Sequence, residues 1–177
     1  RPPRSTHTQS RRQRQMCIRD RSEAVVRELV ASGTTVSTAE SCTGGWISKA
    51  ITDVAGSSDV FGYGIVSYSN DAKASMLGVR RETLDKDGAV SKAVVDEMAK
   101  GALELSGADI AVAVSGVAGP TGGSQEKPVG TVWFAWGVRD GDAVKTETEL
   151  EQFTGDRDRV RELTVLHALR GIRERIQ

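Results

Sequence analysis

Thr34-Thr35-Val36-Ser37-Thr38-Ala39-Glu40-Ser41-Cys42-Thr43-Gly44-Gly45-Trp46-Ile47-Ser48-Lys49-Ala50-Ile51 is the stretch whose reading decides the fold. Its first residues are β-branched and apolar enough for a short buried strand. From Trp46 on, Trp46, Ile47, Ala50, Ile51 and Val54 recur at helical spacing. Small and hydroxyl residues join the two halves, so the stretch reads as strand, tight turn, helix. A turn of this kind leaves the first N–H groups of the helix without intrahelical partners, and they suit an anion or a developing oxyanion. Ser41 is then a candidate nucleophile. On local chemistry alone, a capping role for Ser41 or Thr43 is the commoner one.

The same alternation continues outward. Before the stretch, Val25, Val26, Leu29 and Val30 form a helical stripe from Ser22 to Ser32. After it, Val60–Tyr68 reads as a strand loosened by Gly62 and Gly64. Ser69 or Asn70 caps a short helix ending at Leu77, and Lys92 to about Ser106 forms a longer helix. Ile110-Ala111-Val112-Ala113-Val114 is a continuous small apolar run, as in a strand buried on both faces. It leads into the glycine-rich loop Ser115–Gly123. Thr131–Trp136 and the alternating Val144, Thr146, Thr148 and Leu150 predict an antiparallel pair across Asp140-Gly141-Asp142. A last helix spans about Asp156 to Ile176. Helices alternating with buried strands predict an α/β protein, a three-layer α/β/α sandwich with a mixed, mostly parallel sheet. Sites in such folds form at the carboxyl ends of strands, where the Ser41 and Ser115 loops fall.

Composition bounds the rest. The 177 residues suffice for one domain with a proper core. Formal net charge is zero, but residues 1–21 hold seven arginines and one acid, leaving 17 basic and 23 acidic residues in 22–177. That acidic body argues against duplex nucleic acid as the main partner. Residues 1–21 are expected to be a disordered basic tail outside the functional argument: a transit peptide, a basic arm or an added extension. No run is long enough to span a membrane, and two cysteines in unlike contexts fit a reduced, cytoplasmic setting.

The chemistry is narrowed by what is missing. The two histidines, His7 and His167, join no cluster with metal-ligand spacing, so no metal and no Ser-His-Asp arrangement is expected. His167 reads as a helix residue of no special role. Lys73 is the available base for Ser41, although most lysines on short helices are solvated. Tyr68 is as often a plain strand residue as a proton relay. Cys42 is reactive only if the turn lowers its pKa, and is otherwise small packing. The Ser115–Gly123 loop lacks the lysine of a Walker phosphate loop; it is either a phosphate cradle or a tight turn. Asp156–Arg159 reads as a solvated first helical turn from which Arg157 could reach an anion.

Six ordered motifs then converge on one family: Ala39–Gly45, Gly56-Ser57-Ser58, Tyr68–Lys73, Gly88-Ala89-Val90-Ser91, Ser115–Pro120 and Lys127–Val132. Over residues 22–177 the chain resembles the CinA C-terminal-domain family, specifically its stand-alone nicotinamide-nucleotide amidohydrolases. The resemblance implies hydrolysis of the carboxamide of nicotinamide mononucleotide (NMN) to nicotinate mononucleotide and ammonia, without metal or cofactor. It implies Ser41 as nucleophile, Lys73 as general base and Tyr68 as an assisting hydroxyl. Oxyanion and substrate contacts are expected from Thr43, Gly44, Gly45 and Asn70, and from Ser115, Gly116, Ala118 and Gly119, with the nucleotide phosphate at that last loop. It also implies a homo-oligomer. The basic tail matches nothing in the family pattern, and the extra domain of larger relatives, with its pyrophosphatase activity, is not expected here. The rival reading is a catalytically silent nucleotide-binding module tied to competence or DNA damage.

Overall fold

The computed structural model describes residues 11–176. Its strands are β1 (Val36–Glu40), β2 (Phe61–Val66), β3 (Ile110–Gly116), β4 (Thr131–Asp140) and β5 (Ala143–Gln152). They form one sheet in the order β2-β1-β3-β4-β5. β2, β1 and β3 are parallel neighbours, while β4 runs antiparallel to both β3 and β5. The helices are α1 (Arg11–Ser32), α2 (Trp46–Thr52), α3 (Asn70–Leu77), α4 (Arg81–Asp87), α5 (Lys92–Ser106) and α6 (Arg157–Arg173). The expected three-layer sandwich with a mixed sheet is what forms.

The two faces of β3 explain the layers. Ile110, Val112 and Val114 project into a core shared with α1, α2 and α6, where Phe134 and Trp136 stack 5.5 Å apart. Ala111 and Ala113, with Ala39 and Ala135, face the other way and let α5 lie close on the sheet. α5 meets them with Val94, Val95, Met98, Ala99, Ala102 and Leu103, its helical apolar stripe. Close approach recurs where α3 crosses α5. A Cβ at Gly101 would lie 1.9 Å from the Leu77 carbonyl oxygen, so glycine lets the end of α3 touch the α5 backbone.

Three expectations change. The tail expected to be disordered over 1–21 is helical from Arg11, as the first half of α1; residues 1–10 lie outside the described residues. Arginine and glutamine are good helix formers. Ile18 anchors this half by burial in the core, and the buried Ser22 hydroxyl donates to the Ile18 carbonyl. Ile18 is the one buried side chain among residues 15–21, which leaves no periodic signal to read. α4 was not foreseen; its seven residues are fixed by the tertiary pairing of Arg80 and Thr83 with Glu97. His167, read as unremarkable, is buried with its ring 4.5 Å from that of Phe134 and its Nε2 3.1 Å from Glu149, tying α6 to β5.

Candidate active site

β1 is the middle strand of the parallel trio, buried at every residue. Ser41 follows its last residue, and the Ser41 N–H extends the ladder by donating to the Val114 carbonyl of β3 at 3.0 Å. The chain then reverses through Gly44 (φ 60°) and Gly45 (φ 92°), left-handed conformations that a side chain would strain. This places Ser41 at the carboxyl end of the sheet, 8% exposed.

Lys73 reaches it from the neighbouring strand's connection. Beyond β2, the Ser69 hydroxyl accepts from the Ala72 N–H and caps α3, one turn of which brings Lys73 inward. The Lys73 Nζ lies 3.0 Å from Ser41 Oγ and donates to the Ser67 carbonyl at 2.8 Å. The lysine is 1% exposed and forms no ion pair among the described residues. Burial therefore pushes its pKa below the usual 10.5. The solvated surface lysine of the base rate is not what folds here.

Glu40 is the residue that the sequence reading passed over. Fully buried, its carboxylate accepts from the N–H groups of Gly45 (3.0 Å), Ile47 (3.0 Å) and Ser48 (2.8 Å) and from the Ser48 hydroxyl (2.6 Å). The anion that satisfies the start of α2 thus belongs to the protein itself. The Gly44 N–H is also engaged, donating to the Ser41 carbonyl at 3.0 Å. Gly44 and Gly45, expected to offer N–H groups to an oxyanion, instead shape the turn. The N–H groups of Cys42 and Thr43 have no backbone partner among the described residues, and the buried Thr43 hydroxyl has no partner there. Arg161 of α6 grips the turn from behind, donating to the carbonyls of Cys42 (3.1 Å) and Thr43 (2.8 Å). Neither role had a local signal, because Arg161 is 119 residues from Cys42.

The other expected residues fall around this pair. Tyr68 is 60% exposed at the mouth, and its hydroxyl accepts from Arg157 at 3.0 Å rather than meeting Ser41 or Lys73. Asn70 is exposed at the start of α3. The buried Ser115 hydroxyl is used internally, donating to the Ala89 carbonyl at 2.7 Å. Gly116 and Gly119 are required by packing: a Cβ would come within 2.7 Å of Val132 and 2.5 Å of Val129 respectively. The N–H groups of Ala118 and Gly119 have no partner among the described residues. Cys42 is buried, its thiol pushed up to about 12 by desolvation, so packing is its role. An open groove between α1 and α2 lies behind the turn, lined by Ile18, Trp46 and Ala50 among others, and includes neither Ser41 nor Lys73. Folding also brings Glu149, Glu151 and His167 within 4.8 Å of one another, a cluster that spacing in the sequence hid. Arg170 Nη2 lies 3.2 Å from His167 Nδ1 and supplies positive charge there, as in an ion-pair network.

This geometry has close counterparts. A model of the CinA C-terminal domain matches residues 18–176. The chain belongs to this family. It is 58% identical over 151 residues to the nicotinamide-nucleotide amidohydrolase PncC of Escherichia coli K12, covering 85% of this chain and 90% of that protein. It is 56% identical over 137 residues to the enzyme of the same name from Pseudomonas putida, covering 77% and 83%. A longer CinA-like protein of Akkermansia muciniphila is 53% identical, with this chain spanning 36% of its length. Among solved structures, a competence/damage-inducible protein of Agrobacterium tumefaciens superposes with a TM-score of 0.84 at 46% identity, over 89% of this chain and 94% of that one. The competence damage-inducible protein A of Klebsiella pneumoniae gives 0.84 at 44% identity, over 89% and 96%. Both solved structures share the overall fold of this chain. Among the described residues no helix is long and apolar enough to cross a membrane.

Proposed function

We propose that this chain is a nicotinamide-nucleotide amidohydrolase, converting NMN and water to nicotinate mononucleotide and ammonia through an ester on Ser41. The observation that carries the reading is the contact of Ser41 with a buried lysine that has no acidic partner among the described residues, at the carboxyl end of the central strand. The activity named for relatives 58% and 56% identical supports it.

In this mechanism neutral Lys73 takes the Ser41 proton as Oγ attacks the carboxamide carbon. The tetrahedral oxyanion is received by the N–H groups of Cys42 and Thr43, donors already fixed by the turn and therefore needing no reorganisation. The C–N bond breaks, the Lys73 ammonium returns its proton to the leaving nitrogen, and ammonia departs. Water, deprotonated by Lys73, then attacks the ester carbon; the acyl–oxygen bond breaks and Ser41 regains a proton. Tyr68 sits beside this path as an assisting hydroxyl. Because Arg157 is the donor in their hydrogen bond, the phenol keeps its own proton free to give. No step calls for a metal or cofactor. The protein is read as a homo-oligomer on family resemblance and as cytoplasmic on its two cysteines in unlike contexts.

The test is to incubate the protein with NMN and measure ammonia and nicotinate mononucleotide together. Equimolar formation, unchanged by excess EDTA, is expected. Saturable NMN binding with no ammonia would instead favour the silent regulatory module.

A further inference from the structure

Ser67 is the buried group beside the site that the mechanism leaves unused. It follows β2 directly and is fully buried. Its backbone is held on both sides. The N–H donates to the Glu40 carbonyl at 2.9 Å, and the carbonyl accepts from Lys73 Nζ at 2.8 Å. The hydroxyl, by contrast, has no hydrogen-bond partner among the described residues. A buried polar group left unpaired is unfavourable, so its presence calls for a reason. The hydroxyls of Ser37 and Thr43 are orphaned in the same way, but Ser37 lies in the first half of β1 and Thr43 in the turn beyond Ser41. Of the three, only Ser67 belongs to a residue that hydrogen-bonds Lys73.

The hydrogens on Lys73 show where this hydroxyl is needed. A neutral lysine amine has two N–H donors and a lone pair, whereas the ammonium has three donors and no acceptor. In the neutral state the lone pair faces the Ser41 hydroxyl and one donor the Ser67 carbonyl. Once the Ser41 proton has been taken, one donor meets the Ser41 oxygen and a second the Ser67 carbonyl. The third has no acceptor among the described residues, on a side chain 1% exposed to solvent. A buried charged donor without an acceptor would raise the barrier to the proton transfer. Neighbouring charges do not compensate. The Cys42 thiol, pushed up to about 12, stays neutral at lower pH, and the Glu40 carboxylate is spent on the start of α2. Asp71 of α3 pairs with Arg81, while on α5 Glu97 pairs with Arg80 and Asp96 with Lys100. The Tyr68 hydroxyl already accepts from Arg157.

We propose that the Ser67 hydroxyl turns to accept the third N–H of the Lys73 ammonium, making Ser67 a positioning residue that holds the charged base while Ser41 is esterified. The inference rests on the proposed function for the path of the proton. A change of side-chain rotamer moves the hydroxyl while the backbone, held at both ends, stays still. No bond to Ser67 forms or breaks. The proton passes from Ser41 to Lys73 and on to the leaving nitrogen, and Ser67 keeps its own hydrogen throughout. Because the hydroxyl accepts from the ammonium, it favours the protonated lysine, opposing in part what burial does to the same group. Lys73 is thereby kept basic enough to take a proton from a serine, and the hydroxyl left idle in the resting site is occupied when the charge appears.

The experiment measures Lys73 in two ways, in wild-type protein, Ser67→Ala and Ser67→Thr. One is the pH profile of kcat/KM for ammonia release from NMN. The other is the NMR titration of the Lys73 Cε resonance in lysine-labelled protein, assigned by its loss in Lys73→Met. Ser67→Ala should lower the midpoint of both by about one pH unit and reduce kcat on the plateau roughly three- to tenfold, as a weaker base does. Ser67→Thr keeps the hydroxyl and should restore the wild-type midpoints. Thermal unfolding of Ser67→Ala should match or exceed wild type, since the substitution removes an unpaired buried group. Midpoints unmoved in Ser67→Ala overturn the inference, whatever happens to kcat, because a merely structural hydroxyl alters rate or stability without altering the lysine's proton affinity. A lowered NMR midpoint in Ser67→Ala, with a wild-type protein that releases no ammonia, would overturn the amidohydrolase reading while leaving the Ser67–Lys73 contact standing.

Discussion

Lys73 is the residue whose environment decides whether the site can work. A lysine with an ordinary pKa is protonated at neutral pH and useless as a base; burial lowers that value here. The sign for activity follows directly. kcat/KM should rise with pH as Lys73 loses its proton, and the inflection should lie below 10.5. The sign for stability is the same. Between the folded and unfolded pKa values the unfolded chain binds more protons, so this group's contribution to stability improves as pH rises through that window. Lys73→Met should remove the rising limb and cost roughly 10²- to 10⁴-fold in kcat, read from initial rates of ammonia release across pH. Glu40 works at the same scale but on the fold. Glu40→Gln replaces one of the accepting oxygens with an NH2 group facing backbone N–H donors. It should cost about 2 kcal/mol in urea unfolding while α2 loses its anchor. A midpoint equal to wild type would contradict that role.

At the scale of elements, the site depends on α3 being held at a fixed height against α5. Gly101→Ala would drive a methyl group into the Leu77 carbonyl. It should cost about 1–3 kcal/mol and lower kcat, because α3 also carries Lys73; thermal unfolding and NMN turnover on the same preparation would separate the two effects. Such element-level contacts mark the boundary of what the sequence makes legible. The strand–turn–helix at Ser41, the capped helix carrying Lys73 and the buried β3 run are local patterns, with periodicity and turn residues that can be read directly. The β4–β5 pair was legible too, because its turn and alternation lie within a few residues. Glu40 was quoted in a motif, but its function depends on where the chain goes five to eight residues later. Arg157 and Arg161 act on residues 38 to 119 positions away, and no spacing encodes that. The helical start of α1 was hidden for a related reason: Ile18 anchors a run of arginine and glutamine whose composition resembles that of a disordered segment.

For the whole molecule, the arrangement is a parallel trio of strands whose carboxyl ends converge, extended by an antiparallel pair that widens the core. β1 leads into Ser41, the β2 connection carries Lys73, and the β3 loop forms the remaining wall, while α6 spans them with Arg157 and Arg161. Division of labour across separate elements explains why family resemblance in six ordered motifs carried so much of the functional reading, and why no single motif would have done so. It also makes the central claim, that Ser41 is the attacking group, testable with one substitution that removes an oxygen from a turn held by Glu40 and Arg161 rather than by that oxygen. The measurement is the initial rate of ammonia release from saturating NMN by Ser41→Ala, on protein whose thermal unfolding matches wild type. The account predicts a loss of at least about a thousandfold, and a rate equal to that of the wild type would contradict it.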